Sequence, residues 1–170
     1  MTDTLVVLDR GQPTAFSLQD MLKYHGTGSP GGVAHAFKVL ERAAPLLDAD
    51  HPLERREVTL QTAFAGPGAR DAFELVTRAV TEGRYVVDSS LARPERGRAL
   101  EHFVFRLGYR KRAVTLIVRE GYVTDEFIVL ARKHERSGED DRRLTRLKLE
   151  MADRVMSAAA DDVYDIAASS

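Results

Sequence analysis

Apolar residues recur along this chain with two different periods, and the change of period marks the elements. "TLVVL" (Thr4–Leu8) is short, β-branched and apolar, which predicts an edge strand or a partner-contacting arm. Ser17 then stands as an N-cap before "LQDMLKYH". Beyond the glycine-rich stretch "HGTGSPGG" (His25–Gly32), the segment "GVAHAFKVLERAAPLLDA" carries two apolar lines at helical spacing. Val33, Phe37, Leu40, Ala44 and Leu47 form one, and Ala36, Val39, Ala43 and Leu46 the other. A helix apolar on two sides is predicted to be central and buried. Pro30 sits where a helix start accepts proline.

Period-two alternation follows. "EVTLQTAF" (Glu57–Phe64) reads as a strand with Val58, Leu60 and Phe64 on one face and Thr59 and Gln61 on the other. "AGPGARDAFELVTRAV" is a second Gly/Pro turn into a helix, and "RYVVD" (Arg84–Asp88) a short strand. "SSLARPERGR" (Ser89–Arg98) is a polar loop carrying Pro94. "EHFVFRLGY" and "RAVTLIVRE" are two strands joined at a bend holding Gly108, Arg110 and Lys111. In the first, Phe103, Phe105 and Leu107 share a face, and His102, Val104 and Arg106 share the other. The second is apolar on both faces, as an interior strand is. "EFIVLARK" (Glu126–Lys133) fits helix and strand alike, and "HERSGEDDRR" is a charged break. A last helix from Asp141 to Ala159 aligns Leu144, Leu147, Met151, Val155 and Ala158, and "DDVYDI" closes the chain. Helices first, then strands with one interposed helix, then a helical tail favours α+β over a doubly wound fold. The expected organisation is a single domain over 1–170, with an arm or edge strand at 1–16 and a C-terminal helical extension at 139–170.

Composition narrows the chemistry. A chain of 170 residues has room for one domain with a substantial core. The formal net charge of −1 lacks the basic excess of nucleic-acid binders, so no nucleic-acid partner is expected. With no cysteine, disulfides, iron–sulfur clusters, thiolate zinc sites and a cysteine nucleophile all drop out. "MTDTLVVLDRG" lacks the basic segment and long apolar run of a secretion signal, and no apolar run approaches the roughly 20 residues that span a bilayer. No membrane association and a cytoplasmic location are the expectations.

Gly26, Gly28 and Gly31 spell Gly-x-Gly-x-x-Gly, the skeleton of a phosphate-cradling loop. That fingerprint needs a strand before it and an acidic residue about 20 residues later on a second strand. Here a helix precedes it, "APLLDAD" ends the following helix, and no Gly-Lys-Ser/Thr ending is present. The dinucleotide and P-loop readings therefore fail. What survives is weaker: free N–H groups at a helix start favour any anion, including a substrate carboxylate. "GPGARD" (Gly66–Asp71) is a second such start and carries Arg70. Two glycine-rich starts could face one pocket; alternatively, the glycines serve tight turns and close packing.

"YHGTGSPGGVAHAF" resembles the first hallmark of the FmdE-like family, named after one component of formylmethanofuran dehydrogenase: His-Gly-His-x-Cys-Pro-Gly leading into a small-residue helix. "ARDAFELVTRAVTEGRYVVD" resembles its second hallmark, "HFVFRLGYRKRAVTLIVRE" its aromatic hairpin, and "RVMSAAADDVYDI" the ending of its core domain. Order and spacing match from about Met21 to Ile166. The resemblance implies an α+β fold of the FwdE/GAPDH-domain-like type, with a mixed sheet packed with helices and a C-terminal helix. It also implies a homodimer and a divalent metal such as zinc. The departures fall on the metal motif. His25 matches the first histidine, but Thr27 replaces the second and Ser29 the cysteine; in the second hallmark the cysteine falls on Ala79 and the Gln on Glu74, while Asp71 is retained. Neutral hydroxyls are poor ligands for a soft metal.

The candidate catalytic residues are His25 as acid/base, Tyr24 as proton donor and Asp71, which caps its helix or reaches into the site. Candidate substrate-binding residues are Thr27, Ser29, Gly31, Arg70, His102 and Arg106; candidate metal ligands are His25 and His35. For His35 the competing expectation is a satisfied core histidine. Glu74 and Arg78 fit an ordinary surface i,i+4 pair, and Ser29 as nucleophile lacks a visible triad. Three functions follow: a small-molecule-binding or catalytic protein with a pocket around His25, a metalloprotein rebuilt from His25, His35, His102 or Asp71, and a non-catalytic dimeric accessory protein.

Overall fold

A computed structural model describes residues 4–168. The chain opens with a hairpin: β1 (Thr4–Asp9) pairs antiparallel with β2 (Gln12–Ser17). Arg10 and Gly11 both have positive φ, the turn whose twist matches the flanking strands. The segment expected as an edge strand or arm is thus one strand of a two-stranded hairpin. β2 is largely exposed and contains Pro13, so its residues lack the alternation that marks a half-buried strand. Leu8 N–H donates to Leu53 O at 2.8 Å, which ties the hairpin to the body.

Ser17 ends β2 and caps α1 (Leu18–His25) in a reciprocal box with Asp20. α2 (Pro30–Leu47) is the central helix, buried nearly all round as its two apolar lines predict. It packs against α3 (Pro67–Thr77), α5 (Gly138–Met156) and the sheet. The five-stranded sheet runs β4 (Tyr85–Val87), β3 (Val58–Thr62), β5 (Val104–Tyr109), β6 (Arg112–Val118), β7 (Tyr164–Ile166). Only the β3–β4 pair is parallel. On β3 and β5, Leu60, Phe105 and Leu107 are buried while Gln61 and Arg106 on the opposite face are exposed. Each large apolar side chain buried in this way stabilises the fold by about 1.5–3 kcal/mol. The fold is α+β with a mixed sheet.

Several boundaries differ from expectation. β5 starts at Val104, so His102 lies in the preceding turn and does not share a strand face with Arg106. The ambiguous apolar run is a helix, α4 (Asp125–Arg132), with Thr124 as its cap. α5 begins earlier than Asp141, at Gly138, because Ser137 and Asp140 form a second capping box. The closing "DDVYDI" lies in α6 (Ala160–Val163) and β7, which returns the C-terminal extension to the sheet beside β6. Among the described residues no helix is long and apolar enough to cross a membrane.

Candidate functional site: a cavity at two open helix starts

α2 starts on Ser29 and Pro30, and α3 on Gly66 and Pro67; neither N-cap makes a side-chain hydrogen bond. The first helical bonds are Val33 N–H to Ser29 O and Arg70 N–H to Gly66 O, both 3.2 Å. Proline has no N–H to lose. The N–H groups of Gly31, Gly32, Gly68 and Ala69 therefore have no intrahelical acceptor, and none makes another hydrogen bond among the described residues. The glycines also bring the two starts together. A Cβ on Gly68 would fall 2.6 Å from Ser29 O, and one on Gly32 would fall 3.3 Å from Ala69 N. Close packing and facing one pocket, posed as alternatives by the sequence, are thus both features of the same residues.

A cavity of about 640 Å³ opens at this junction, lined by Ser29, Gly31, Gly32, Gly66 and Gly68. Phe64, Phe103, Phe127 and Ile128 give it an apolar wall, with Phe64 and Phe103 stacked at 4.4 Å between ring centroids. Arg98, His102, Arg132 and Lys148 supply the charged and titratable lining, and among the described residues no aspartate or glutamate lines it. Arg132 Nη2 donates to His102 Nδ1 at 3.2 Å. Guanidinium can only donate, so this contact is a hydrogen bond when His102 carries its proton on Nε2. Lys148 Nζ donates to Gly28 O at 2.8 Å. Burial, and then the nearby Arg136, hold its ammonium below the usual lysine value. Arg98 meets Asp125 only at 3.5 Å, with both side chains exposed.

Beside this junction His25 Nδ1 donates to Asp71 Oδ2 at 2.8 Å. The two residues come from the end of α1 and the second turn of α3. The carboxylate orients the ring and leaves Nε2 as a proton acceptor, as a general base requires. Nε2 faces Gly28, where a Cβ would lie at 4.0 Å. His25 is not among the lining residues of the cavity, and Ser29 makes no hydrogen bond to it, so the pocket is centred on the helix starts instead of on His25. Arg70 approaches the other Asp71 oxygen at 3.5 Å.

The remaining candidates separate. Tyr24 is 53% exposed, and Thr27 is exposed in the loop; neither lines the cavity. Arg106 lines a different, smaller pocket with Arg93 and Thr115, because β-strand alternation turns it away from α2. His35 is a core histidine. It is fully buried, its Nδ1 accepts from the Tyr164 hydroxyl at 2.8 Å, and Phe103 packs on its ring at 5.0 Å. Burial holds it neutral, with its pKa pushed down to about 3; the backbone of Tyr122 offsets this only in part. Its Nε2 has no hydrogen bond of ordinary geometry. Among the described residues no three His, Asp, Glu or Cys side chains are grouped to hold a metal, so a His25–His35 ligand pair gains no third donor. Glu74 is also more than a surface partner of Arg78. It is buried and accepts from Thr81 N–H at 2.9 Å and from the Thr81 hydroxyl, with Arg78 Nε at 3.5 Å.

Sequence reasoning missed Arg98, Arg132 and Lys148. Lys148 had a local signal, since it flanks the Leu144–Leu147–Met151 stripe on α5 and so borders a packed surface. Arg98 and Arg132 had none, lying in a polar loop and at the end of the ambiguous run. No family model matches the chain, and no curated protein matches it.

Proposed function

We propose that the protein binds a small molecule in the cavity between the starts of α2 and α3, on an FmdE-like scaffold. One observation carries this reading: a cavity of about 640 Å³ that joins an aromatic wall to backbone donors without partners. That volume falls within the range of small-molecule sites, which combine an apolar lining with a few convergent polar groups. The homodimer implied by the resemblance and the cytoplasmic location expected from the sequence belong to the same proposal, and light scattering on the purified chain tests the first.

A thermal-shift screen of a small-molecule library on the wild type and on Ala131→Trp tests the reading. Ala131 is exposed and lines the cavity, so an indole there fills the space without entering the core. A ligand specific to the folded state raises Tm in proportion to RT ln(1 + [L]/Kd). Compounds that stabilise the wild type are expected to lose their effect on the filled variant. Stabilisation that persists unchanged in Ala131→Trp, or silence across the screen, contradicts the reading.

The His25–Asp71 contact favours a second reading, in which His25 acts as acid/base on a bound ligand. Asp71→Asn should then abolish turnover of a ligand found by the screen while leaving its affinity within a few-fold. Equal loss of both contradicts a role in chemistry.

A further inference from the structure

We infer that the cavity selects an organic oxyanion: a carboxylate or phosphate head on an apolar body. This inference rests on the cavity being a ligand site, and it adds the sign of the ligand's charge and the place of its head.

The charge balance at the lining is one-sided. Arg98, Arg132 and Lys148 contribute cations, and no lining residue is acidic. Arg132 makes its one side-chain hydrogen bond to the His102 ring and Lys148 its one to a backbone carbonyl; neither has a carboxylate partner among the described residues. The acids nearest this cluster act at its edge: Asp125 at 3.5 Å from Arg98, and Glu101 at 3.4 Å from His102 Nδ1.

Arg98 and Arg132 are exposed and Lys148 is half-buried, so water solvates these cations, and an anion gains most beside Lys148, where a partly buried pair is screened by salt less than an exposed one. The open starts add to this, since Gly31, Gly32, Gly68 and Ala69 offer N–H groups at the positive ends of two helix dipoles. A cationic ligand meets repulsion from all of these groups. A neutral one gains no charge-assisted hydrogen bond from the ammonium and guanidinium groups. Phe64, Phe103, Phe127 and Ile128 then specify what the head is attached to, because a bare inorganic anion would leave that wall wet.

Isothermal titration with four eight-carbon probes tests the inference: octanoate, octyl phosphate, 1-octanol and octylamine, each on the wild type, Arg132→Gln, Lys148→Gln and Ala131→Trp. At least one acid is expected to bind about tenfold or more tightly than octanol, with octylamine weakest, since a charge-assisted hydrogen bond contributes a tenfold change or more. Octanoate over octyl phosphate identifies a carboxylate head, and the reverse order a phosphate. Each charge-neutralising variant should narrow the acid-to-alcohol ratio and leave octanol affinity unchanged. Octanol or octylamine binding as tightly as both acids, with loss in Ala131→Trp, overturns the inference and leaves the cavity reading standing. Acid binding indifferent to Arg132→Gln, Lys148→Gln and Ala131→Trp overturns it too. Absence of binding by all four overturns it as well, while the library screen decides the cavity reading separately.

Discussion

Two kinds of start occur among the described helices of eight or more residues. α1, α4 and α5 begin on Ser17, Thr124 and Ser137, whose hydroxyls accept from the backbone N–H of Asp20 at 3.0 Å, Phe127 at 3.2 Å and Asp140 at 3.0 Å. All three carry acidic residues in their first turn. α2 and α3 begin on proline after an N-cap with no side-chain bond, and neither has an acid in its first turn. The opposite end of α3 shows that open ends are not the rule there. Its last carbonyls receive Arg55 Nε at Val76 O (2.9 Å) and Arg84 Nη2 at Thr77 O (2.9 Å). Among the helices of eight or more residues, the two unsealed starts are also the two that line the cavity. The starts of α1, α4 and α5 are closed by local side chains, whereas these two keep donors and positive dipole ends available.

The largest expected effect concerns how the open starts approach each other. Gly68→Ala places a Cβ 2.6 Å from a backbone oxygen that cannot swing aside, so it should cost about 1–3 kcal/mol in urea denaturation. Gly31→Ala meets the flexible end of Met151 at 2.8 Å and should cost less. Equal, small losses at both positions would break the idea that the starts are packed backbone on backbone.

Next come the caps. Ser17→Ala and Ser137→Ala should each lose about 1 kcal/mol, because each removes a bond to an otherwise orphaned N–H. Ser29→Ala removes no such bond and should stay within about 0.5 kcal/mol. If Ser29→Ala costs as much as the other two, the contrast between closed and open starts fails.

Pro67→Glu sharpens the comparison by giving an open start the acid it lacks. A favourable dipole contribution of about 0.3–1 kcal/mol should be offset by a similar loss of proline rigidity. Stability should therefore barely move while octanoate affinity falls, and unaltered affinity would count against an anion at this end.

The smallest effect is acid sensitivity. Hydrogen bonds from the Ser17 backbone and then its side chain hold the Asp20 carboxyl below the usual range; Lys133 and then the Ser137 backbone do the same for Asp140. A depressed carboxylate stabilises the fold above its unfolded value of 3.8, and that contribution disappears as pH falls through the lower folded value. Asp140→Asn should thus flatten the acid limb of the stability curve. An unchanged limb would remove Asp140 from the account of the closed start.

Much of this architecture is written locally. The two apolar lines of α2, the stripe of α5 and the alternation of β5 identify themselves because burial acts on a fixed period. β2 does not, since an exposed strand with Pro13 owes its place to β1 and not to a buried face. The start of β5 is not legible either, because Phe103 is buried in the turn as fully as a strand residue would be. At the site, glycine and proline mark both open starts, and His25 and Asp71 each stand out. Their contact spans 46 positions of sequence and depends on how α1 meets α3, which no local pattern encodes. Arg98 and Arg132 look like any solvated arginine in sequence; only the fold assembles them around one cavity.

Amide chemical-shift mapping of the ¹⁵N-labelled protein during titration with octanoate tests the central claim most directly. The amides of Gly31, Gly32, Gly68 and Ala69 should shift saturably together, while those of Asp20 and Asp140 at the closed starts stay still. Shifts of equal size at open and closed starts, or shifts that leave the four open-start amides untouched, would contradict a ligand site at this junction.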